Sequence, residues 1–337
     1  EYIYKQDSGN AALTTRGLQA RIELVEDTPM RAAFEIVHEW AIPASADARL
    51  QEEIETMVPL TRRQAGRSGE TVPFVIRTRV ILERDADRLQ FRTTVNNQAK
   101  DHRLRALFPT DIASDVHYAD SIFEIAKRNN VPAPEWKNPS NCQHQQAFVA
   151  VDHDQEGLLV ANIGLNEYEV LRDGRNTIAV TLLRAVGELG DWGVFRTPEA
   201  QCQGEYTLEY AVIPYAGSQA RYRAAKEAYQ WQIPWTAAQA GVQEGDLPAE
   251  HAWMSWSGDT LALSAVKRNE DTNDLIVRWY NLAAEPAELS VYAPQGSRQL
   301  YLSNVLEEER GTKWPCDRQS AVAIEVKPAE IITVGIR

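Results

Sequence analysis

Apolar and polar positions alternate with period two along much of the chain, the pattern of a strand that buries one face and wets the other. Phe74, Ile76, Val80 and Leu82 fall on one side of such a segment, and Arg77, Arg79 and Glu83 on the other. Leu89, Phe91, Thr93 and Val95 repeat the pattern against Arg88, Gln90, Arg92 and Thr94. The intervening Arg84, Asp85, Ala86 and Asp87 supply turn chemistry, so the two segments predict a hairpin. Further strands are predicted at 20–25, 31–40, 104–108, 158–162, 177–183, 206–213, 261–267, 275–280, 287–293, 321–326 and 331–336. Together they define an all-β protein of the sandwich type.

One helix interrupts this pattern. Tyr222, Ala225 and Tyr229 recur at helical spacing between Ser218 and Trp231, and Pro234 prevents continuation. It predicts a large β-sandwich over 1–217, a helix and linker over 218–249 and a small β-sandwich over 250–337. The stretch 42–72, rich in Ala, Glu, Arg and Gln and without a clean period, reads as an excursion across the outside of the large sandwich.

A length of 337 residues agrees with more than one core. The formal charge of -13 disfavours a nucleic-acid partner, whose affinity comes mostly from Lys and Arg. No apolar run approaches the roughly 20 residues a bilayer span requires, so no membrane association is expected. The opening residues, EYIYKQD, carry neither an initiator Met nor the regions of a signal peptide, which predicts a numbering that starts inside a longer protein. Cys142, Cys202 and Cys316 are odd in number and widely spaced, as expected of buried, reduced thiols in a cytoplasm.

Candidate chemistry is sparse. The histidines, His38, His102, His117, His144, His153 and His251, are scattered, with no HxD, HxH or HExxH among them. Asp152, His153 and Asp154 sit between two apolar runs and predict a hairpin turn rather than a metal site. A GxSxG elbow, a Cys with a neighbouring base and a glycine-rich phosphate loop are all lacking, so no catalytic residue and no metal ligand is assigned.

Two stretches stand out. Around Asp101, His102 and Arg103 a strand runs through a polar turn into a cluster of alternating charge, which can orient a sugar hydroxyl network or be a solvated turn whose Asp caps backbone amides. Period two also places Arg184 on the same side as Ile178, Val180 and Leu182. Either the guanidinium emerges at the sandwich rim to meet a ligand or another domain, or the strand ends or bulges before it. Trp253 and Trp256 offer a further choice, between a platform for a sugar face and core packing.

At these stretches the sequence resembles a known family. NNQAKDHRLRALFP (96–109), GLNEYEV (164–170), TLLRAVG (181–187) and TPEAQ (197–201) are similar, in order and spacing, to the C-terminal half of family 38 glycoside hydrolases, and most similar to bacterial α-mannosidases of the mannosylglycerate hydrolase type. LSAVK (263–267), LIVRWYN (275–281) and PAEIIT (328–333) extend the resemblance to the family's terminal β domain. It implies a galactose-mutarotase-like super-sandwich followed by a smaller β-sandwich.

The resemblance also implies retaining hydrolysis of α-mannosidic bonds at a zinc ion, with an Asp nucleophile and a carboxylic general acid. The family's zinc ligands come from an N-terminal His-x-Asp, a further Asp and a His in a His-Asp-Ala type motif of a helical bundle, all upstream, and none of these occurs here. Expected, therefore, is a non-catalytic C-terminal part without a cofactor of its own. Its implied partners are the N-terminal catalytic domain of the same polypeptide, which would hold the zinc, and a mannose-containing carbohydrate. Tyr2, in a segment similar to the family's aromatic opening of the sandwich, and Arg184 are the positions that the resemblance implies as substrate contacts. Asp101, His102 and Arg103 join them as candidate binding residues. The alternative, drawn from the tryptophans and the acidic balance, is an autonomous carbohydrate-binding module.

Overall fold

The computed structural model describes residues 12–59, 62–132, 142–189, 195–242, 244–317 and 319–337, so Tyr2 lies outside the described residues. The chain divides into two units, one formed by the chain up to Ala119 with Lys127–Ala224, the other by Asp120–Ala126 with Ala225–Arg337. The class is all-β, with strands arranged in several antiparallel sheets.

The strands up to the long helix are β1 (Arg21–Asp27), β2 (Arg31–Pro43), β3 (Thr71–Glu83), β4 (Leu89–Asn97), β5 (His102–Phe108), β6 (Val116–Ser121), β7 (Glu124–Asn129), β8 (Gln143–His144), β9 (Phe148–His153), β10 (Glu156–Ile163), β11 (Glu167–Val170), β12 (Ile178–Ala185), β13 (Glu188–Leu189), β14 (Phe195–Arg196) and β15 (Gly204–Tyr215). A nine-stranded sheet runs in the order β1-β2-β3-β4-β15-β10-β9-β6-β7, and a four-stranded sheet in the order β5-β12-β11-β8.

The predicted hairpin forms as β3 and β4, with Val80 opposite Phe91 and Ile76 opposite Val95. Alternation then sends the apolar set of each strand to the inner face of the large sheet. There Val149, Val151, Val160 and Tyr210 meet Tyr168, Ile178, Val180 and Leu182 of the small sheet in one buried cluster. Phe91 stacks on Tyr210 at 5.3 Å between ring centroids, and Phe108 meets both edge-on.

The stretch 42–72 completes β2, then adds a second helix, α1 (Ala48–Glu55), before β3 begins. Asp47 caps it: one carboxylate oxygen accepts from Arg49 N at 3.1 Å and the other from Gly66 N at 2.9 Å. Glu53, buried on this helix, accepts from the amides of Gln64 and Ala65, which ties the return loop to it. The longer helix, α2 (Arg221–Trp231), follows a turn of 3₁₀ helix at Ser218–Ala220.

Asp152, His153 and Asp154 do lie at a hairpin turn, where β9 pairs with β10 from His153 opposite Glu156. Asp152 has a role that alternation does not reveal. Its carboxylate receives Arg221 through Nε at 2.6 Å and Nη2 at 3.1 Å, and the Tyr215 hydroxyl at 2.6 Å. The same guanidinium lies 3.4 Å from the Tyr118 ring centroid, so the start of α2 is fastened by one buried charge pair and a cation–π contact.

The second unit contains β16 (Ser255–Ser257), β17 (Leu261–Arg268), β18 (Leu275–Asn281), β19 (Ala287–Tyr292), β20 (Gln299–Ser303), β21 (Glu309–Pro315), β22 (Val322–Val326) and β23 (Ile331–Ile336). Sheets β16-β19-β22 and β17-β18-β23-β20-β21 enclose a core of Leu261, Trp279, Leu289, Leu300, Ile324 and Val334. Trp256 packs against this core and meets Trp279 edge-on at 5.8 Å, while Trp253 is exposed beside His251. The two tryptophans therefore do not share one platform. Of the three free cysteines only Cys316 is buried; Cys142 and Cys202 are half-buried.

Candidate functional site

Strict alternation predicts Arg184 on the same side as Ile178, Val180 and Leu182, but the second of the two possibilities for that strand is realised. Between β5 and β12, Val180 lies opposite Ala106 and Thr181 opposite Arg105; the register then slips, and Leu183 lies opposite Leu104 and Arg184 opposite Arg103. Leu182 is the extra residue of a β-bulge. Both Leu182 and Leu183 stay in the core, and Arg184 is turned to the outer face of the small sheet.

That outer face carries an ionic cluster. On β11, Tyr168 pairs with Val180 and Val170 with Ile178 inward, which leaves Glu167 and Glu169 outward beside Thr181 and Arg184. Arg184 Nη1 donates to Glu167 Oε2 at 2.7 Å, and Thr181 Oγ1 to Glu167 Oε1 at 2.8 Å. Arg103 stands 3.5 Å from Glu167 and 3.9 Å from Glu169, and its Nη1 donates to Cys142 Sγ at 2.8 Å. Arg105 Nη1 donates to Glu169 Oε2 at 2.8 Å. Burial and the Arg103 charge lower the Arg105 pKa from its ordinary value.

Exposure is graded across the cluster. The Arg103 side chain is 4% exposed and that of Arg184 is 32% exposed. Arg103 is a buried cation held by two carboxylates, whereas Arg184 keeps part of its guanidinium toward solvent while Glu167 and Thr181 fix its direction.

Asp101 and His102 sit one turn away and are tied into the protein. Asp101 adopts φ 54° and accepts from Gln201 Nε2 at 2.6 Å and from Ala46 N at 3.2 Å, while its own amide donates to Gln201 Oε1 at 2.8 Å. Gly187 makes room for this bridge: a Cβ there would lie 2.8 Å from Gln201 Nε2. His102 Nε2 meets Asn97 Oδ1 at 2.9 Å, and its ring stands edge-on to Phe74. Burial, then the Arg67 charge, push its pKa down to about 4, so it is a neutral core histidine at pH 7.

Arg63 and Glu188 form a second buried ion pair. Arg63 Nη2 and Glu188 Oε2 have no hydrogen-bond partner in the structure. Such atoms are costly to leave unmet. Among the described residues, no three His, Cys, Asp or Glu side chains converge to hold a metal ion, so the zinc that the resemblance implies has no fitting donor set there. Nor is any described helix long and apolar enough to cross a membrane.

The structure brings Arg184 and Arg103 together, places Asp101 and His102 in a neighbouring network, and adds Arg105, Glu167, Glu169 and Thr181, which motif searching passes over. Their signal is a matched alternation: Arg103 and Arg105 two apart on one strand, Glu167 and Glu169 two apart on another.

Comparison with known proteins bears on the same stretches. Residues 1–188 match the model described as glycosyl hydrolases family 38 C-terminal domain, and residues 260–334 match the family 38 C-terminal beta sandwich domain. A protein named "Putative mannosylglycerate hydrolase" from Halalkalibacterium halodurans is 41% identical over 337 residues, which is 99% of this chain and 36% of that protein. The crystal structure of an alpha-mannosidase from Enterococcus faecalis is 43% identical with a TM-score of 0.88, covering 99% of this chain and 37% of the other. A second Enterococcus faecalis structure, of a glycosyl hydrolase family 38 protein, gives 42% and 0.86, covering 99% and 38%. The chain thus spans little more than a third of the length of these relatives.

Proposed function

We propose, from the premise that this chain belongs to glycosyl hydrolase family 38 as its C-terminal region, that it is the non-catalytic β portion of an enzyme that hydrolyses α-mannosidic bonds, and that it lines the substrate cleft with Arg184. The observation that carries this reading is the bulge at Leu182, which turns a guanidinium out of the core and leaves it about a third exposed while Glu167 and Thr181 aim it. A preorganised, partly exposed guanidinium is suited to donate to sugar hydroxyl oxygens or to a carboxylate. Tyr2 remains a proposed second contact. The relative's name specifies mannosylglycerate, an α-mannoside of a hydroxy acid. The carboxylate of such a substrate is a stronger partner for the Arg184 guanidinium than any group of a neutral mannoside. Three unpaired cysteines support a reducing, cytoplasmic setting.

The test uses the full-length protein. Arg184→Ala lowers kcat/KM on an aryl α-mannoside by about 10- to 100-fold, the worth of one hydrogen bond to a charged group. Arg184→Lys recovers part of the loss, and the deficit is larger on mannosylglycerate than on the neutral substrate. Unchanged kinetics in Arg184→Ala would overturn the assignment. Residues 1–337 alone are expected to be inactive, and robust turnover by them would overturn the non-catalytic reading.

A further inference from the structure

The inner face of the nine-stranded sheet extends past its cover. The small sheet packs over β4, β15, β10 and β9, and beyond it β1, β2 and β3 continue the same apolar face. Register defines the row: Tyr210 lies opposite Phe91, Phe91 opposite Val80, Val80 opposite Phe34 and Phe34 opposite Leu24. Burial falls away along it. Tyr210 is buried, whereas Phe34 is 46%, Leu24 53% and Ile22 61% exposed.

The sequence of this end is patterned for burial. On β1, Ile22 and Leu24 alternate with Arg21 and Glu23, which pair with each other at 2.6 Å on the opposite side. On β3 the outer side carries Arg77 and Arg79, both against Glu35 of β2. An alternation of this kind is needed only if the apolar side is covered. A contiguous exposed apolar face on an edge strand is otherwise an aggregation hazard.

The trough under the overhang has a volume of about 1420 Å³, bordered by Ile36, Trp40, Ile76 and Val80. Small-ligand pockets are typically about 300–1,000 Å³, so the trough has room for a protein segment along its apolar side. The relatives supply the candidate, since about two thirds of their length lies outside the region this chain matches.

We infer that the inner face of β1, β2 and β3 is the seat on which the preceding polypeptide of the intact family 38 protein docks, burying Ile22, Leu24 and Phe34. This rests on the reading of the chain as part of a longer hydrolase. The experiment places the photoreactive amino acid p-benzoylphenylalanine at position 34 of the full-length protein, with position 79 on the opposite side as control, and identifies the cross-linked peptides by mass spectrometry. Cross-links from position 34, and not from position 79, to polypeptide preceding Glu1 support the proposal. Cross-links only to residues 1–337, only between two copies, or none would overturn it. Turnover measured on the same samples separates the two readings: a full-length protein that hydrolyses mannosides without that cross-link loses the docking surface alone, and one that cross-links as expected but never hydrolyses them loses the hydrolase reading alone.

Discussion

Arg184 and Arg103 are register partners across two antiparallel strands, with Glu167 between them at 2.7 Å from one and 3.5 Å from the other. Like charges directly opposite on a sheet repel, so the pair depends on the shared carboxylate. Glu167→Gln removes that carboxylate from both guanidiniums, while Glu169, the other carboxylate of the cluster, is already engaged by Arg105. Since Glu167 is partly exposed, the expected cost is about 2–3 kcal/mol, below the full penalty of a broken buried pair. Urea denaturation checks this, and the full-length variant is expected to lose activity together with stability. Arg184→Ala, in contrast, is expected to change stability by no more than about 1 kcal/mol.

Gly187 is held by its neighbours rather than by its backbone. Gly187→Ala would push a methyl to within 2.8 Å of Gln201 Nε2 and 3.4 Å of Asp101 Oδ1, forcing the bridge between them to open. A loss of about 1–3 kcal/mol is expected. In a double-mutant cycle with Gln201→Ala the two losses should be strongly non-additive, because the second substitution removes the obstacle. Additive losses would place the clash elsewhere.

Acid should weaken the fold before the carboxylates titrate. Burial lowers the pKa of His102 and of His117 from 6.5 to about 4. His117 Nε2 accepts from the Tyr168 hydroxyl at 2.7 Å while Nδ1 donates to Asn130 Oδ1 at 2.7 Å, an arrangement that needs the neutral ring. The unfolded chain binds protons below pH 6.5 and the folded chain only near pH 4, so stability is full above pH 6.5 and falls between the two values. Each histidine accounts for a loss on the order of 3 kcal/mol at the lower end. Denaturation at pH 7, 5.5 and 4.5 should show this slope, and His102→Leu should flatten it.

Arg221→Met takes the buried Asp152 carboxylate's cation away and leaves it the Tyr215 hydroxyl, at an expected cost of about 3–5 kcal/mol. Replacing both members, Arg221→Met with Asp152→Leu, should recover much of it. Thermal unfolding of the two variants distinguishes a broken pair from a general intolerance of change at the start of α2.

Strands with one wet face are legible in the sequence, as β3 and β4 illustrate, because Arg77, Arg79, Gln90 and Arg92 mark the solvent side. Strand β9 is not. Phe148, Val149, Ala150 and Val151 are all buried, so the run has no alternation to read. Helix α1 escapes for a different reason: its face toward the protein is fastened by Asp47 and Glu53 hydrogen bonds rather than by an apolar stripe. The ionic cluster is half legible. Its charges are visible as two matched pairs, but which of them meets solvent depends on a slip in register that leaves no signature in TLLRAVG.

The bulge at Leu182 ties the facing of Arg184 to a slip in register rather than to the composition of β12. Exchanging Leu182 for another apolar residue of similar size keeps every later side chain at its address. Straight pairing of the same residues, without the slip, would send Leu183 to the ionic face and drive the Arg184 guanidinium among Leu104 and its apolar neighbours. One residue of chain, with no chemistry of its own, decides which compartment of the protein receives the charge.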